Sequence, residues 1–171
     1  SNSIGKYSPL VQKAMAKLKD LEVSIIATTH GPVWRKNPGY VTRRYDRWSR
    51  YEAEPGVMVA YASMYGSTRK MAEAVCRGLT LGGVRNIRLH DVSRVHLSYL
   101  VRDAWRFQGL ALGSCTYEMG LFPAMKTFVE LLQEKKLMNR TLGIFGSFGW
   151  TGGSVKDLKS FVDKSGWSLV E

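Results

Sequence analysis

From residue 57 onward the chain alternates short apolar runs with amphipathic stretches, and this rhythm limits what it can fold into more than any other feature. Val57-Met58-Val59-Ala60-Tyr61 is a continuous apolar run of strand length. Residues 68–81 follow, with Met71, Val75 and Leu79 on one helical face, and Gly82-Gly83 ends them. The pattern then repeats as a strand over 86–92, a short helix over 97–105 and a strand over 108–113. A helix over 119–134 comes next, with Phe122, Met125, Phe128, Val129 and Leu132 as its apolar stripe. A strand over 141–146, a helix over 153–164 and the start of a fifth strand over 167–170 complete the series. Strands that read as unbroken apolar runs, joined by helical crossovers, pair in parallel and are covered by helices on both faces. The expected class is α/β, and 171 residues suffice to bury a core of that kind.

The first third is less regular. Ser8-Pro9 reads as a cap followed by proline in the first helical turn, and Leu10, Ala14, Leu18 and Leu21 carry a helix to about residue 20. Val23-Ser24-Ile25-Ile26-Ala27-Thr28 reads as a strand that ends at His30-Gly31-Pro32. Asn37-Pro38 repeats the cap-and-proline signal and opens a basic amphipathic helix. Residues 52–56 break the pattern and are the expected domain boundary. The expected division is therefore a fragment over 1–36, a linker helix over 37–55 and the α/β domain over 56–171, which stops before a last helix.

Net charge is +11, and the basic residues gather at Arg35, Lys36, Arg43, Arg44, Arg47 and Arg50 among aromatics. Interleaved arginines and aromatics superficially suit single-stranded nucleic acid. Val41, Tyr45 and Trp48 recur at helical spacing, however, and predict one buried stripe with the arginines on a solvated face. No nucleic-acid partner is expected. Nor is a membrane: no apolar run reaches bilayer length, and Ser1-Asn2-Ser3 is polar and tag-like rather than a signal peptide. Cys76 and Cys115 form no CxxC pair, which fits a reducing cytoplasmic setting. Cys76 is expected to be buried and inert, and Cys115 to pack as a small side chain.

Three loops follow predicted strands. They are Ser63-Met64-Tyr65-Gly66-Ser67-Thr68, Gly113-Ser114-Cys115-Thr116-Tyr117-Glu118 and Gly146-Ser147-Phe148-Gly149-Trp150-Thr151-Gly152. The first is rich in hydroxyls and runs straight into a helix, which is what a phosphate requires: outward N–H groups, a positive dipole end and short donors. The other two offer glycine for close approach and aromatics for a flat ring. Tyr117 and Trp150 lie outside the periodic stripes and read as ring contacts, whereas Phe128 and Phe145 read as core. Ligands of open parallel sheets sit at these carboxyl ends. No GxGxxG follows the first strand and no GxxxxGK[ST] occurs, which argues against a dinucleotide or P-loop site. The three loops together point to a phosphorylated aromatic cofactor held without a covalent bond.

The loops resemble the FMN site of flavodoxins, and the whole chain resembles the flavodoxin-like domain of flavodiiron proteins (A-type flavoproteins). Thr29-His30-Gly31-Pro32-Val33-Trp34-Arg35 is similar to the end of that family's metallo-β-lactamase-like domain. The resemblance implies a doubly wound parallel sheet of order 2-1-3-4-5, preceded by a helix-strand-helix remnant. It implies that Ser63, Met64, Tyr65, Gly66, Ser67 and Thr68 surround the FMN phosphate. Ser114, Cys115, Thr116 and Tyr117 then line the ribityl chain and ring, and Gly146, Ser147, Phe148, Gly149, Trp150 and Gly152 form the other wall. Cys115 stands where such loops often have Pro, and Glu118 where they often have Asn; a negative charge there disfavours a reduced, anionic flavin. His30 is similar to the last histidine ligand of a diiron centre, a role expected only in the intact protein, since one imidazole makes no site. His90 and His96 bring no suitable companions.

The implied function is an FMN-binding electron-transfer domain of a flavodiiron oxygen or nitric oxide reductase, with the chain alone a carrier. The implied partners are a small redox protein such as rubredoxin and, at full length, a second copy in a head-to-tail homodimer. Two competing readings are an NAD(P)H-dependent flavodoxin-like reductase and a basic scaffold domain without cofactor.

Overall fold

The computed structural model describes residues 5–29 and 31–170. A short 3-10 turn over Gly5–Tyr7 leads into α1 (Ser8–Leu18), which packs on α2 (Pro38–Ser49). The α/β series follows: β1 (Glu54–Ala62), α3 (Ser67–Leu81), β2 (Ile87–Asp91), α4 (Leu97–Arg106), β3 (Phe107–Tyr117), β4 (Gly120–Leu121), α5 (Pro123–Glu134), β5 (Thr141–Ser147), α6 (Ser154–Ser165) and β6 (Ser168–Leu169). The strands are ordered β2-β1-β3-β5-β6, all parallel, with β4 antiparallel to the end of β3. Counting the parallel strands alone, this is the expected order 2-1-3-4-5. No helix among the described residues is long and apolar enough to cross a membrane.

Alternation along the central strands divides the core. Met58, Ala60 and Ala62 of β1 and Leu110 and Leu112 of β3 face α4, α5 and α6, where Trp105, Phe107, Phe128 and Phe161 complete the larger cluster. Val59, Tyr61 and Ala111 face the other way and pack with Ala72 of α3. Each fully buried large side chain contributes roughly 1.5–3 kcal/mol, so the central strands are the rigid frame from which the loops project. Phe128 is core as expected; Phe145 packs half-buried beside the α3 cluster. Cys76 is half-buried rather than buried.

Several local expectations change. Residues 23–28 form no strand, only a single antiparallel bridge in which Ile26 and Trp34 exchange bonds of 3.0 and 2.9 Å. Among the described residues no neighbouring strand extends that ladder, and Ile25 stays exposed. Ser8 is not a cap: its hydroxyl donates to the Gly5 carbonyl, and Tyr7 holds the cap position. The helix predicted over 119–134 starts at Pro123. Glu118 (φ 44°) and Met119 (φ 64°) are both left-handed, as a type I′ hairpin turn demands, and they fold Gly120 back onto Tyr117. Tyr45 is exposed, and Val41 and Trp48 are half-buried; instead of a buried stripe they line a cavity of about 680 Å³ together with Trp34, Arg44 and Arg102. Trp167 is core, not strand, and its Nε1 donates to the Leu137 carbonyl.

The α2 end is tied to the sheet. Trp105 Nε1 donates to the Trp48 carbonyl at 3.2 Å. Glu54, at the start of β1, bridges Arg44 at 3.0 Å and Arg106 at 2.8 Å. Arg140, 3% exposed, donates to five backbone carbonyls, those of Tyr51, Ala104, Trp105, Met138 and Asn139.

Candidate functional site

β1, β3 and β5 lie side by side; β1 and β5 end opposite Ser114 and Cys115, and β3 runs on to Tyr117. Ala62 pairs with Ser114, and Ser114 and Cys115 pair with Gly146 and Ser147. The three loops therefore leave the sheet as neighbours at its carboxyl edge.

The first loop is built to open a helix. Gly66 sits at φ 89°, a left-handed conformation that L side chains rarely adopt, and its N–H donates to Ser63 Oγ at 3.0 Å. The helical ladder begins with Lys70 N–H on the Gly66 carbonyl. The N–H groups of Ser67, Thr68 and Arg69 thus have no acceptor within α3, and its first turn carries no acidic residue. Met64, Tyr65 and Ser67 are exposed, Tyr65 to 91%, while Ser63 is half-buried. Thr68 is different: its side chain is fully buried and its hydroxyl meets Ser147 Oγ at 2.8 Å.

The second loop is organised from beneath. Ser114, fully buried, donates to the Cys115 carbonyl and accepts the Phe122 N–H. Thr116 donates to Ser154 Oγ and accepts the N–H groups of Gly153 and Ser154, which caps α6. These hydroxyls are engaged within the protein, and Tyr117 is the side chain this loop turns outward, edge-on to Phe122. Burial pushes the Cys115 thiol up, with the backbone N–H groups of Met64 and Cys115 pulling it back. Glu118 is exposed at the hairpin tip.

The third loop carries two exposed rings at the same carboxyl edge, Phe148 at 63% and Trp150 at 98%. Gly149 and Gly152 are exposed beside them, and the Phe148 ring lies against Gly152. Gly146 and Ser147 are half-buried where β5 ends. His30 lies outside the described residues. His90 Nε2 pairs with Asp103 at 2.8 Å, and His96 caps α4 through Ser98. Among the described residues no group of three or more His, Cys, Asp or Glu side chains could hold a metal.

Two organising residues escaped the sequence reading. Ser154 Oγ donates to the Ser114 carbonyl, locking α6 to β3. Gly153 has the Met119 carbonyl so close that an added Cβ would lie 1.8 Å from it. The Gly152-Gly153-Ser154 run before a helix was the available signal for both.

The edge thus offers free N–H groups at one helix start, flanking hydroxyls and four outward rings, Tyr65, Tyr117, Phe148 and Trp150. That donor set suits a phosphorylated flat ring. The family profile for flavodoxin matches residues 59–171. The chain belongs to the flavodoxin family. The chain is 30% identical to the anaerobic nitric oxide reductase flavorubredoxin of Aeromonas hydrophila, an alignment covering 99% of the chain and 35% of that protein. The flavorubredoxin of Escherichia coli is 28% identical over 99% of the chain and 36% of its own length. The chain therefore spans about a third of the curated relatives it matches. In structure it is similar to the rubredoxin oxygen:oxidoreductase of Desulfovibrio gigas, with TM-score 0.90 and 25% identity over 97% of this chain and 42% of that one. The flavodiiron protein of Giardia intestinalis shares the fold at TM-score 0.91 and 24% identity, over 98% of this chain and 43% of that one.

Proposed function

We propose that this chain is the FMN-binding electron-transfer module of a longer flavodiiron-type oxygen or nitric oxide reductase. The observation that carries the reading is the convergence at one sheet edge of an open α3 start and four outward aromatic rings. FMN, when bound, supplies the redox chemistry. The protein's part is to bind, orient and shield. Ser63, Ser67 and the backbone of Tyr65, Gly66 and Thr68 hold the phosphate, a negative group favoured at a helix start. Tyr117 and Trp150 flank the ring, with Met64, Tyr65 and Phe148 at its margin. Cys115, Ser114, Thr116, Gly146, Ser147, Gly149 and Gly152 set the shape of the walls. No side chain of this site acts as acid, base or nucleophile.

The wider setting belongs to the same proposal. The chain divides at residues 52–56, His30 ligates iron in the intact protein, and two full-length copies pair head to tail in the cytoplasm. The name of the Desulfovibrio relative supports a rubredoxin-type electron donor. Anaerobic stopped-flow mixing of the FMN-loaded chain with a reduced rubredoxin-type iron–sulfur protein tests the carrier role. Flavin bleaching at a rate that saturates with donor is expected, with NADH alone inert; rapid bleaching by NADH alone contradicts a carrier and makes the chain a reductase.

A further inference from the structure

The hairpin from β3 to β4 cannot hold itself. Two residue pairs join its strands, Thr116 with Leu121 and Tyr117 with Gly120. Its turn residues, Glu118 at φ 44° and Met119 at φ 64°, are neither Asn nor Gly. So short a ribbon with so disfavoured a turn needs support from outside, and the support comes from α6.

At the root of the hairpin, Thr116 Oγ1 accepts the N–H groups of Gly153 and Ser154. On the returning strand, the Leu121 N–H donates to Asp157 Oδ2 at 3.1 Å. Asp157 stands in the first turn of α6, with its own N–H on the Gly153 carbonyl. Its carboxylate lies so close to the hairpin that a Cβ on Gly120 would come within 3.0 Å of it. Gly120 is the residue paired with Tyr117. The carboxylate thus grips the strand directly opposite the ring that the hairpin turns outward, edge-on to Phe122.

We propose that Asp157 is a positioning residue: its carboxylate latches the β3–β4 hairpin to the head of α6 and so holds Tyr117 in place beside the ring. The inference rests on the flavin reading above, in which Tyr117 flanks the ring and the phosphate sits at a different helix start, that of α3. A supporting contact to one wall governs the grip on what that wall touches, so loss of the latch weakens the hold on the ring and leaves the hold on the phosphate as it was. The same carboxylate also favours α6 through the helix dipole. Asn cannot replace that charge, but its side-chain carbonyl can still accept the Leu121 N–H.

Dissociation constants for FMN, and for riboflavin, which lacks the phosphate, are measured by fluorescence quenching on five proteins. They are the unaltered chain, Asp157→Ala, Asp157→Asn, Tyr117→Ala and the double variant of Asp157→Ala with Tyr117→Ala. Asp157 is exposed, so neither change at this position disturbs the core. Asp157→Ala should bind both flavins about two- to tenfold more weakly, the range of one hydrogen bond, with their affinity ratio unchanged. Asp157→Asn should restore most of the loss. A dipole effect gives the opposite order, since Asn lacks the charge and is a poorer helix former than Ala. In the Tyr117→Ala background Asp157→Ala should add nothing, as for two residues acting through one contact. Unchanged affinity in Asp157→Ala, a loss confined to FMN, an Asn variant as weak as the Ala one, or full additivity with Tyr117→Ala overturns the inference while the flavin reading stands. Binding of neither flavin by the unaltered chain overturns the flavin reading, and this inference with it.

Discussion

Trp150 is 98% exposed, so packing cannot account for it and its part in the site can be tested cleanly. Trp150→Ala should leave the denaturation midpoint within the range of a surface change, about 0.5 kcal/mol. FMN affinity should fall by roughly 0.5–1.5 kcal/mol, the worth of one aromatic contact, with a shifted flavin absorption band; unchanged affinity and spectrum would remove Trp150 from the ring wall. At this scale the sequence was legible where residue type and pattern disagreed. Tyr117 and Trp150 stood outside every apolar stripe, and both face outward. Hydroxyls were not legible in the same way. Ser67, Thr68, Ser114 and Thr116 look alike in a sequence, and what separates them is partners 38 to 79 positions away, Ser154 for Thr116 and Ser147 for Thr68.

Between elements, the hairpin from β3 to β4 holds two non-glycine residues at positive φ, Glu118 and Met119. Each such residue costs about 1 kcal/mol or more, and the type I′ turn prefers Asn-Gly. Glu118→Asn with Met119→Gly should raise stability by roughly 1–2 kcal/mol in urea denaturation; a decrease would mean that the turn is held by contacts of those side chains. This turn hid from the sequence because neither residue is a turn former, and the apolar stripe ran on through it. Pro123 was the one local mark of the true helix start. The run over 23–28 misled in the opposite way: its β-branched residues have strand propensity, but a strand needs a neighbour to complete its ladder. Arg140 joins the segment after α2, α4 and the turn before β5 through backbone carbonyls alone, and burial lowers its pKa to about 10, so it is charged at neutral pH. Arg140→Met leaves several buried acceptors without a donor, each worth roughly 1–3 kcal/mol. It should lower the unfolding free energy by about 3 kcal/mol or more; a loss under about 1 kcal/mol would show that water replaces the guanidinium.

For the molecule as a whole, the parallel order and the crossovers were readable from periodicity, because the central strands β1 and β3 bury both faces and the crossover helices one stripe. The extent of α2 contact with the sheet was not, since it depends on Glu54, Trp105 and Arg140 meeting across the chain. Global stability carries a pH signature. Burial raises the Asp103 carboxyl, but hydrogen bonds from Arg102 and His90 outweigh it and hold the group below its ordinary range. Hydrogen bonding from Arg106, and then Arg44, lowers Glu54 against a smaller push from burial. Both groups have lower pKa values folded than unfolded, so the folded state binds fewer protons on acidification. Their contribution is complete above the unfolded carboxylate value of about 4 and disappears as pH falls through the folded values. Urea midpoints should decline below about pH 4, and Asp103→Asn should flatten that decline; an identical slope in the variant would deny Asp103 this role.

The central claim is that the edge formed by β1, β3 and β5 binds FMN. Titration of the chain with FMN in phosphate-free buffer, followed by quenching of flavin fluorescence, tests it directly. The account predicts saturation at one FMN per chain with micromolar or tighter affinity, and competition by added inorganic phosphate at the head of α3. Flavin fluorescence that stays unquenched throughout the micromolar range would contradict it.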